Sequence, residues 1–380
     1  MKVAVHDYLV CPKCRGALEL RAFRLDADEV MDGCFHCECG IAYPIIDGVP
    51  RLLPPDLLPG LEEDYPAFFR TYGRPADLDR HAETAVTDVK RRTQEAFGYE
   101  WTWSSDYHAD NFRDWLPAGF NAEDGFRGKA GLEVGCGAGR HAAATASLAR
   151  EHVAVDLSRA VDSAFARTRH LPNCHVVQAD AMQLPFRAGT FDYVYCLGVL
   201  QHMPDPEAGF YALAKQPRPG GILLGNVYQS SRPVMLFLLE CLRKITTRLP
   251  SATVKHVSFI AGMLEYGLVT APWKRMRNTR IGKSLRPFVP DRVDESAKYD
   301  LNTAVTDWFD RLACPVKKHY RREDLMQWYR NAGYDDITVT PYWKAFWNGY
   351  GRRPLHDAPA NVSPAAPLAA TRLAADLNVT

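Results

Sequence analysis

The pattern of apolar and polar positions is most regular in the middle of the chain. Over 131–134 a short apolar strand runs into three alternating glycines, and an alanine-rich helical stretch follows over 141–149. Further apolar runs over 153–156, 175–179, 191–196 and 222–227 repeat the strand signal, with helical segments between most of them. Strands that alternate with helices predict a mostly parallel sheet covered by helices on both faces. Upstream, 62–116 reads as helical and carries Trp101, Trp103, Tyr107 and Trp115, with 87–97 polar around a thin apolar stripe. Downstream, 234–245 is an apolar helix pattern and 322–332 a helix stopped by Gly333. A closing antiparallel hairpin is expected over 336–342 and 345–350.

The glycine stretch Gly131-Leu132-Glu133-Val134-Gly135-Cys136-Gly137-Ala138-Gly139-Arg140 is the chemical centre of this pattern. Glycine allows positive φ and carries no Cβ, so the backbone can press against a ligand. The helix start behind it offers unpaired N–H groups and the positive end of a dipole. The third glycine arrives one residue early for the dinucleotide fingerprint, and no Lys-Ser/Thr pair completes a phosphate loop. Asp156 ends the second strand 17 positions after Gly139, where a carboxylate reaches ribose hydroxyls. The third strand ends at Asp180-Ala181, and the fourth opens with Phe191-Asp192. These features point to a nucleoside-type ligand.

Taken in order, Glu133 to Gly139, Asp156, Asp180-Ala181, Leu184-Pro185-Phe186, Phe191-Asp192, Leu200-Gln201-His202 and Pro219-Gly220-Gly221 resemble the motifs of class I S-adenosylmethionine-dependent methyltransferases. The likeness covers about 127–228, with a tail over about 315–354. It implies a seven-stranded, mostly parallel, Rossmann-like sheet with helices on both faces and an antiparallel final strand. It also implies S-adenosylmethionine held by Glu133, Gly135, Cys136, Gly137, Gly139, Asp156, Leu157, Asp180, Ala181 and Leu197. Glu133 would fix the loop or meet the cofactor's amine end; alternatively it steadies the loop with no ligand contact. Asp156 would accept the ribose hydroxyls, a role compatible with capping the helix that follows Ser158. Asp180 would accept from the adenine amino group, or act as a turn aspartate. In related enzymes the segment before the first strand covers the cofactor, so the helical stretch is read as a lid or as outer packing of the sheet.

Composition adds bounds. The chain has 380 residues, 47% hydrophobic and 24% charged, with a net charge of +1, which is ordinary for a two-domain globular protein and not a nucleic-acid-binding profile. No run of 18 apolar residues and no signal-peptide core are present, so a cytoplasmic location is expected. Ten cysteines in that setting suggest metal binding plus free thiols. Cys11-Pro12-Lys13-Cys14 is one knuckle, and Cys34, Cys37 and Cys39 cluster some twenty residues later. Cys11, Cys14, Cys37 and Cys39 are the chosen ligands of a tetrahedral structural zinc, with Cys34 or His36 as alternatives to Cys37. Together with 42–50, this resembles the small zinc-ribbon family that activates methyltransferases in trans, here fused in cis. The expected organisation is a zinc ribbon over 1–54 and a linker and lid over 55–126. A methyltransferase domain over 127–355 with an insertion over 230–312, and a disordered alanine- and proline-rich tail over 356–380, complete it.

The acceptor is less defined. His202 titrates near neutrality and is a candidate base or a cofactor-edge residue, and His319 and Tyr320 are further candidates. An Asn-Pro-Pro-Tyr-like signature, the mark of many enzymes acting on amide or base nitrogens, is absent after the fourth strand. The insertion pairs its apolar helix with a basic run, Lys274, Arg275, Arg277, Arg280, Lys283 and Arg286. It could receive a partly apolar, anionic, glycan- or lipid-linked small molecule, or could be a buried helix beside a solvated face. Competing readings are an RNA methyltransferase whose ribbon binds RNA, and a non-catalytic subunit that keeps the fold.

Overall fold

The computed structural model describes residues 1–74, 84–104, 112–230, 233–342 and 345–355; Tyr107 and the tail over 356–380 lie outside them. In the N-terminal quarter the strands are β1 (Leu18–Asp26), β2 (Glu29–Cys37), β3 (Ala42–Ile46) and β4 (Val49–Leu52). The central strands are β5 (Ala130–Val134), β6 (Glu151–Asp156), β7 (Cys174–Ala179), β8 (Phe191–Cys196) and β9 (Pro217–Gln229). The last are β10 (His319–Tyr320), β11 (Asp335–Tyr342) and β12 (Phe346–Arg352). The order across the sheet is β1-β2-β3-β4-β7-β6-β5-β8-β9-β12-β11, with β10 beside β9.

Within it, β7-β6-β5-β8-β9-β12-β11 is the expected seven-stranded unit. Strands β5 to β9 pair in parallel, and β12 runs antiparallel to both β9 and β11. Strand β5 is buried along its whole length, as a central parallel strand must be when helices cover both faces. Close packing is strict here: a Cβ on Gly131 would fall 1.8 Å from the Tyr193 ring. The chain runs outward from β5 to β7 and then returns to β8. That reversal opens a crevice at the strand ends, where open α/β sheets hold ligands.

The ribbon does not hang from a tether. Strand β4 adds to the free edge of β7 in parallel, with Arg51 opposite Gln178 and Leu52 opposite Ala179. Arg51 is fully buried. It donates to Gln178 Oε1 (3.1 Å), to the Ile46 carbonyl (3.1 Å) and to Asp162 Oδ1 (2.7 Å), and its guanidinium lies 4.5 Å from the centre of the Tyr65 ring. One apolar core runs from Phe35 and Tyr43 of the ribbon to Val134, Val177 and Trp328 of the large sheet. The segment read as a linker is packed as well, since Leu57 and Leu58 are buried.

The insertion is helical. Helix Ser251–Glu265 lays Val254, Ser258 and Gly262 against helix Leu301–Ala313, so closely that a Cβ on Gly262 would sit 2.9 Å from Val305. Helix Pro233–Thr246 faces the same partner with its polar side: Arg243 donates to the carbonyls of Arg311 (2.7 Å) and Cys314 (2.8 Å), and Thr246 to that of Leu312 (2.8 Å).

Candidate active site

A cavity of about 440 Å³ opens at the carboxyl ends of β5, β6, β7 and β8. Its floor is the glycine loop. Gly135, Gly137 and Gly139 have φ of +85°, +50° and +76°, the left-handed region that a side chain resists. The Gly137 N–H donates to Asp156 Oδ2 (2.9 Å), which ties the loop to the end of β6. Asp156 Oδ1 accepts from the N–H and hydroxyl of Ser158 (2.8 and 2.7 Å). These bonds close the turn that follows β6; the next helix begins at Ala160 with Arg159 at its N-cap and no side-chain cap, so Asp156 is a turn acceptor and not the cap. Burial raises the Asp156 carboxyl above its ordinary range, and these hydrogen bonds oppose that shift.

Of the residues expected around the cofactor, Gly135, Cys136, Gly137, Asp156, Leu157, Asp180, Ala181 and Leu197 line the cavity, as does His202. Two stand behind its wall. Gly139 packs on the Ala164 backbone, 2.9 Å from where its Cβ would be. Glu133 is 2% exposed and sits between two histidines, with Oε2 3.5 Å from His152 Nε2 and Oε1 4.0 Å from His141 Nδ1. Burial, then the Arg140 charge, holds the His141 imidazole well below its ordinary pKa, so it is neutral. Asp180 is engaged from both sides: Oδ1 accepts from the Met182 N–H (2.9 Å), and Oδ2 pairs with the Lys90 ammonium at 2.5 Å.

Lys90 comes from helix Ala85–Trp103, which with Thr93, Gln94, Phe97, Glu100 and Trp101 forms one side of the cavity. The Trp101 indole packs against Gly137, 2.8 Å from where a Cβ there would lie, so this helix touches the loop. Thr84 caps this helix by accepting from the Thr87 N–H (3.1 Å). Glu100 is 3% exposed, and burial followed by Asp310 raises its carboxyl well above the ordinary range.

The far half of the cavity gathers titratable side chains. The His202 Nδ1 lies 2.9 Å from the Val316 carbonyl, which can only accept, so Nδ1 bears the hydrogen and Nε2 the lone pair. Asp310 Oδ1 lies 3.8 Å from that Nε2, buried and with no hydrogen-bond partner among the described residues, while Oδ2 accepts from the Tyr228 hydroxyl (3.1 Å). Burial lowers His202 to about 4 and Lys317 to about 8, against the pull of Asp310 in both cases. His319 also lines this end and is pushed down to about 4 by burial. Tyr320 does not line it; its ring packs edge-on against Trp328 with centroids 4.8 Å apart. The basic run over 274–286 is absent from the lining too: Lys274, Arg275, Arg280, Lys283 and Arg286 are exposed, and Arg277 is half-buried with its guanidinium on the Asp294 carbonyl (3.4 Å). The insertion contributes Tyr299, Thr303, Thr306, Asp307, Trp308, Asp310 and Arg311 instead. Lys90, Glu100, Asp310 and Lys317 are the site residues that sequence reasoning missed. None carries a local motif, and all are brought in by tertiary packing.

In the ribbon, the sulfurs of Cys11, Cys14, Cys37 and Cys39 all lie within 4.8 Å of one another, with Cys14–Cys37 at 3.3 Å and Cys11–Cys39 at 3.7 Å. Zn–S bonds of about 2.3 Å in a tetrahedron separate sulfurs by just under 4 Å, so the four fit one zinc with every position filled. The Cys34 thiol turns away to the Phe35 carbonyl (3.6 Å).

Comparison with known proteins agrees with this geometry. A family model described as "Methyltransferase domain" matches residues 132–225, and one described as "Trm112p-like protein" matches residues 2–48. Among curated relatives, the ubiquinone biosynthesis O-methyltransferase of Idiomarina loihiensis is 31% identical over 147 residues, covering 37% of this chain and 59% of that protein. The enzyme of the same name from Pseudomonas paraeruginosa is 30% identical over 173 residues, covering 44% of this chain and 74% of that protein. The chain spans about three-fifths of the length of the first curated relatives it matches. A solved structure titled as a complex between the Haloferax volcanii Trm112 methyltransferase activator and the putative methyltransferase aligns with 13% identity and a TM-score of 0.38, covering 69% of this chain and 97% of that one. The ordered motifs, the seven-stranded sheet and the matched relatives lead to one statement: the chain belongs to the class I S-adenosylmethionine-dependent methyltransferases and carries a Trm112p-like zinc ribbon at its N-terminal side.

Proposed function

We propose that this protein transfers a methyl group from S-adenosylmethionine to a hydroxyl of a small, partly apolar acceptor. The supporting observation is the cavity itself: one space is lined at one end by the glycine loop, Asp156 and Asp180, and at the other by His202, Asp310 and Tyr228. When bound, S-adenosylmethionine supplies an already activated methyl. Gly135 and Gly137 present backbone to it, Asp156 meets the ribose, and the Asp180–Lys90 pair borders the base. At the other end His202 Nε2 takes the acceptor's proton. The Asp310 carboxylate stabilises the imidazolium that forms, and the Val316 carbonyl holds the tautomer. An imidazole with a pKa of about 4 is a weak base, which suits an acidic hydroxyl such as a phenol better than an alcohol. Trp101, Phe97 and Trp308 exclude water. Curated relatives are named as ubiquinone biosynthesis O-methyltransferases, which also favours oxygen of a small molecule as the acceptor atom. The reading assigns the protein to the cytoplasm, in keeping with ten cysteines that form no disulfide.

The Trm112p-like match favours a second reading, methylation of RNA with the ribbon as an RNA contact. No residue of 1–54 lines the cavity, so the ribbon would act on a substrate only from outside it.

The test uses methyl-labelled S-adenosylmethionine with total RNA and with a panel of phenols and catechols bearing short or long alkyl chains. Label in a phenol, reduced roughly 10²- to 10⁴-fold in His202→Asn at unchanged cofactor affinity, is the expected result. Nuclease-sensitive label would support the RNA reading. Tight cofactor binding with label in neither class would overturn the proposal.

A further inference from the structure

The outside of the helical insertion is unlike the rest of the surface. Among the described residues, fifteen of the twenty exposed large hydrophobic side chains fall between 237 and 288. Leu268 is 74% exposed and Phe288 84%. The pattern is periodic. On helix Ser251–Glu265, the stripe Val254, Ser258 and Gly262 is buried against helix Leu301–Ala313, while Phe259, Ile260, Met263 and Leu264 on the opposite side face outward. Helix Pro233–Thr246 repeats this: Arg243 and Thr246 are buried, and Leu238, Leu242 and Ile245 are exposed.

The same stretch is strongly basic, with ten Lys and Arg against two Glu over 237–288. Both acids are occupied internally. Glu240 pairs with Arg243 at 3.0 Å, and Glu265 accepts from the Trp308 indole at 2.7 Å. Lys274, Arg275, Arg280 and Lys283 are exposed.

We propose that the insertion is a membrane-docking surface, which lies in the headgroup region of an anionic bilayer with its apolar stripes inserted and its basic residues on the lipid phosphates. Apolar faces flanked by Lys and Arg on helices that cannot span a bilayer are what in-plane membrane binding requires. Among the described residues no helix is long and apolar enough to cross. Charge decides against a second copy of the chain as the occupant. A twofold interface brings each patch against itself, and here that would set one basic run against another. Anionic lipid complements it, because its negative surface potential attracts each Lys or Arg held near the headgroups. Location gives the docking a purpose. Helix Leu301–Ala313 lines the cavity with Thr303, Thr306 and Asp310 on one side and carries Ser251–Glu265 on the other, so the apolar surface lies one helix layer from the acceptor end.

The test is cosedimentation of the zinc-loaded full chain with vesicles of phosphatidylcholine alone or mixed with phosphatidylglycerol, at low and raised salt. Two variants accompany the wild type: Phe259→Ser/Ile260→Ser/Met263→Ser/Leu264→Ser, and Arg275→Glu/Arg280→Glu/Lys283→Glu. The wild type is expected to pellet with the anionic vesicles and to be released by salt, and each variant to lose about tenfold or more in partitioning. Melting curves and S-adenosylmethionine affinity should match the wild type, and if one variant fails to fold the other is read. Failure to pellet, equal pelleting with neutral vesicles, or a lipid-independent dimer that the substitutions dissolve would each overturn the proposal. Because the assay contains no acceptor, its failure leaves the methyltransferase reading standing.

Discussion

Replacing Gly137 by alanine separates two effects that a glycine loop usually confounds. The residue has φ +50°, so alanine there costs about 1–2 kcal/mol of stability. That strain is the same with or without cofactor and cancels from the affinity. The second effect does not cancel. The added Cβ would lie 2.8 Å from Trp101 Cε2 and 3.1 Å from both Cζ2 and Nε1, where carbon contacts normally sit at about 3.5–4.0 Å. The indole, and with it the covering helix, must withdraw by roughly 0.7 Å or more, an overpacking of about 1–3 kcal/mol. If cofactor binding requires that helix seated, affinity falls roughly 5- to 150-fold. Calorimetric titration with S-adenosylmethionine and S-adenosylhomocysteine measures it. Trp101→Phe, which removes the outer indole atoms, should restore much of the loss in the double variant and give a clear coupling energy. Unchanged affinity in Gly137→Ala, or additive losses in the double variant, would refute the claim that Trp101 closes on the loop.

Arg51→Met should destabilise the protein by about 3–5 kcal/mol, since it strands the Gln178, Ile46 and Asp162 acceptors, and limited proteolysis should then release the ribbon first; an unaltered melting curve would count against the shared core. Metal analysis should find about one zinc per chain, and Cys14→Ser should lower both zinc content and melting temperature. The depressed histidine gives a pH signature. His202 has a folded pKa of about 4 against 6.5 unfolded, so between these values the unfolded chain binds more protons. Stability therefore rises with pH across that window, by about 3 kcal/mol from this group, and His202→Asn should flatten the rise in pH-dependent denaturant melts.

What the sequence made legible was whatever short-range spacing encodes. The glycine loop fixes its own backbone, and β8 is found at the residues expected, with β5, β6 and β7 within one or two residues at their ends. Cysteine knuckles at metal spacing likewise identified the four sulfurs that converge. Contacts without local signal were not legible. Arg51 interrupts an apolar run in β4 and reads as a loop charge, yet its partner Gln178 is 127 positions away. Lys90 looks like a surface lysine on a polar helix and is buried on Asp180. Of the two readings left open for the basic run, it lies outside the cavity lining as a largely solvated face, because a helix period of 3.6 gives its charged side no preference for inside or outside until Trp273 and Gly282 pack inward.

Within the shared core, the strand pairing that joins ribbon to sheet is short, with β4 and β7 matched at only two positions. Between separate molecules, so short a pairing would be filled according to how much of each was present. Joined on one chain, the ribbon meets its edge at an effective concentration on the order of millimolar, whatever the protein's abundance. Occupancy of the β7 edge then becomes a property of the fold and not of the cell's supply of a partner. The strand edge is covered from the moment both halves exist, and it offers no open template to a neighbouring chain.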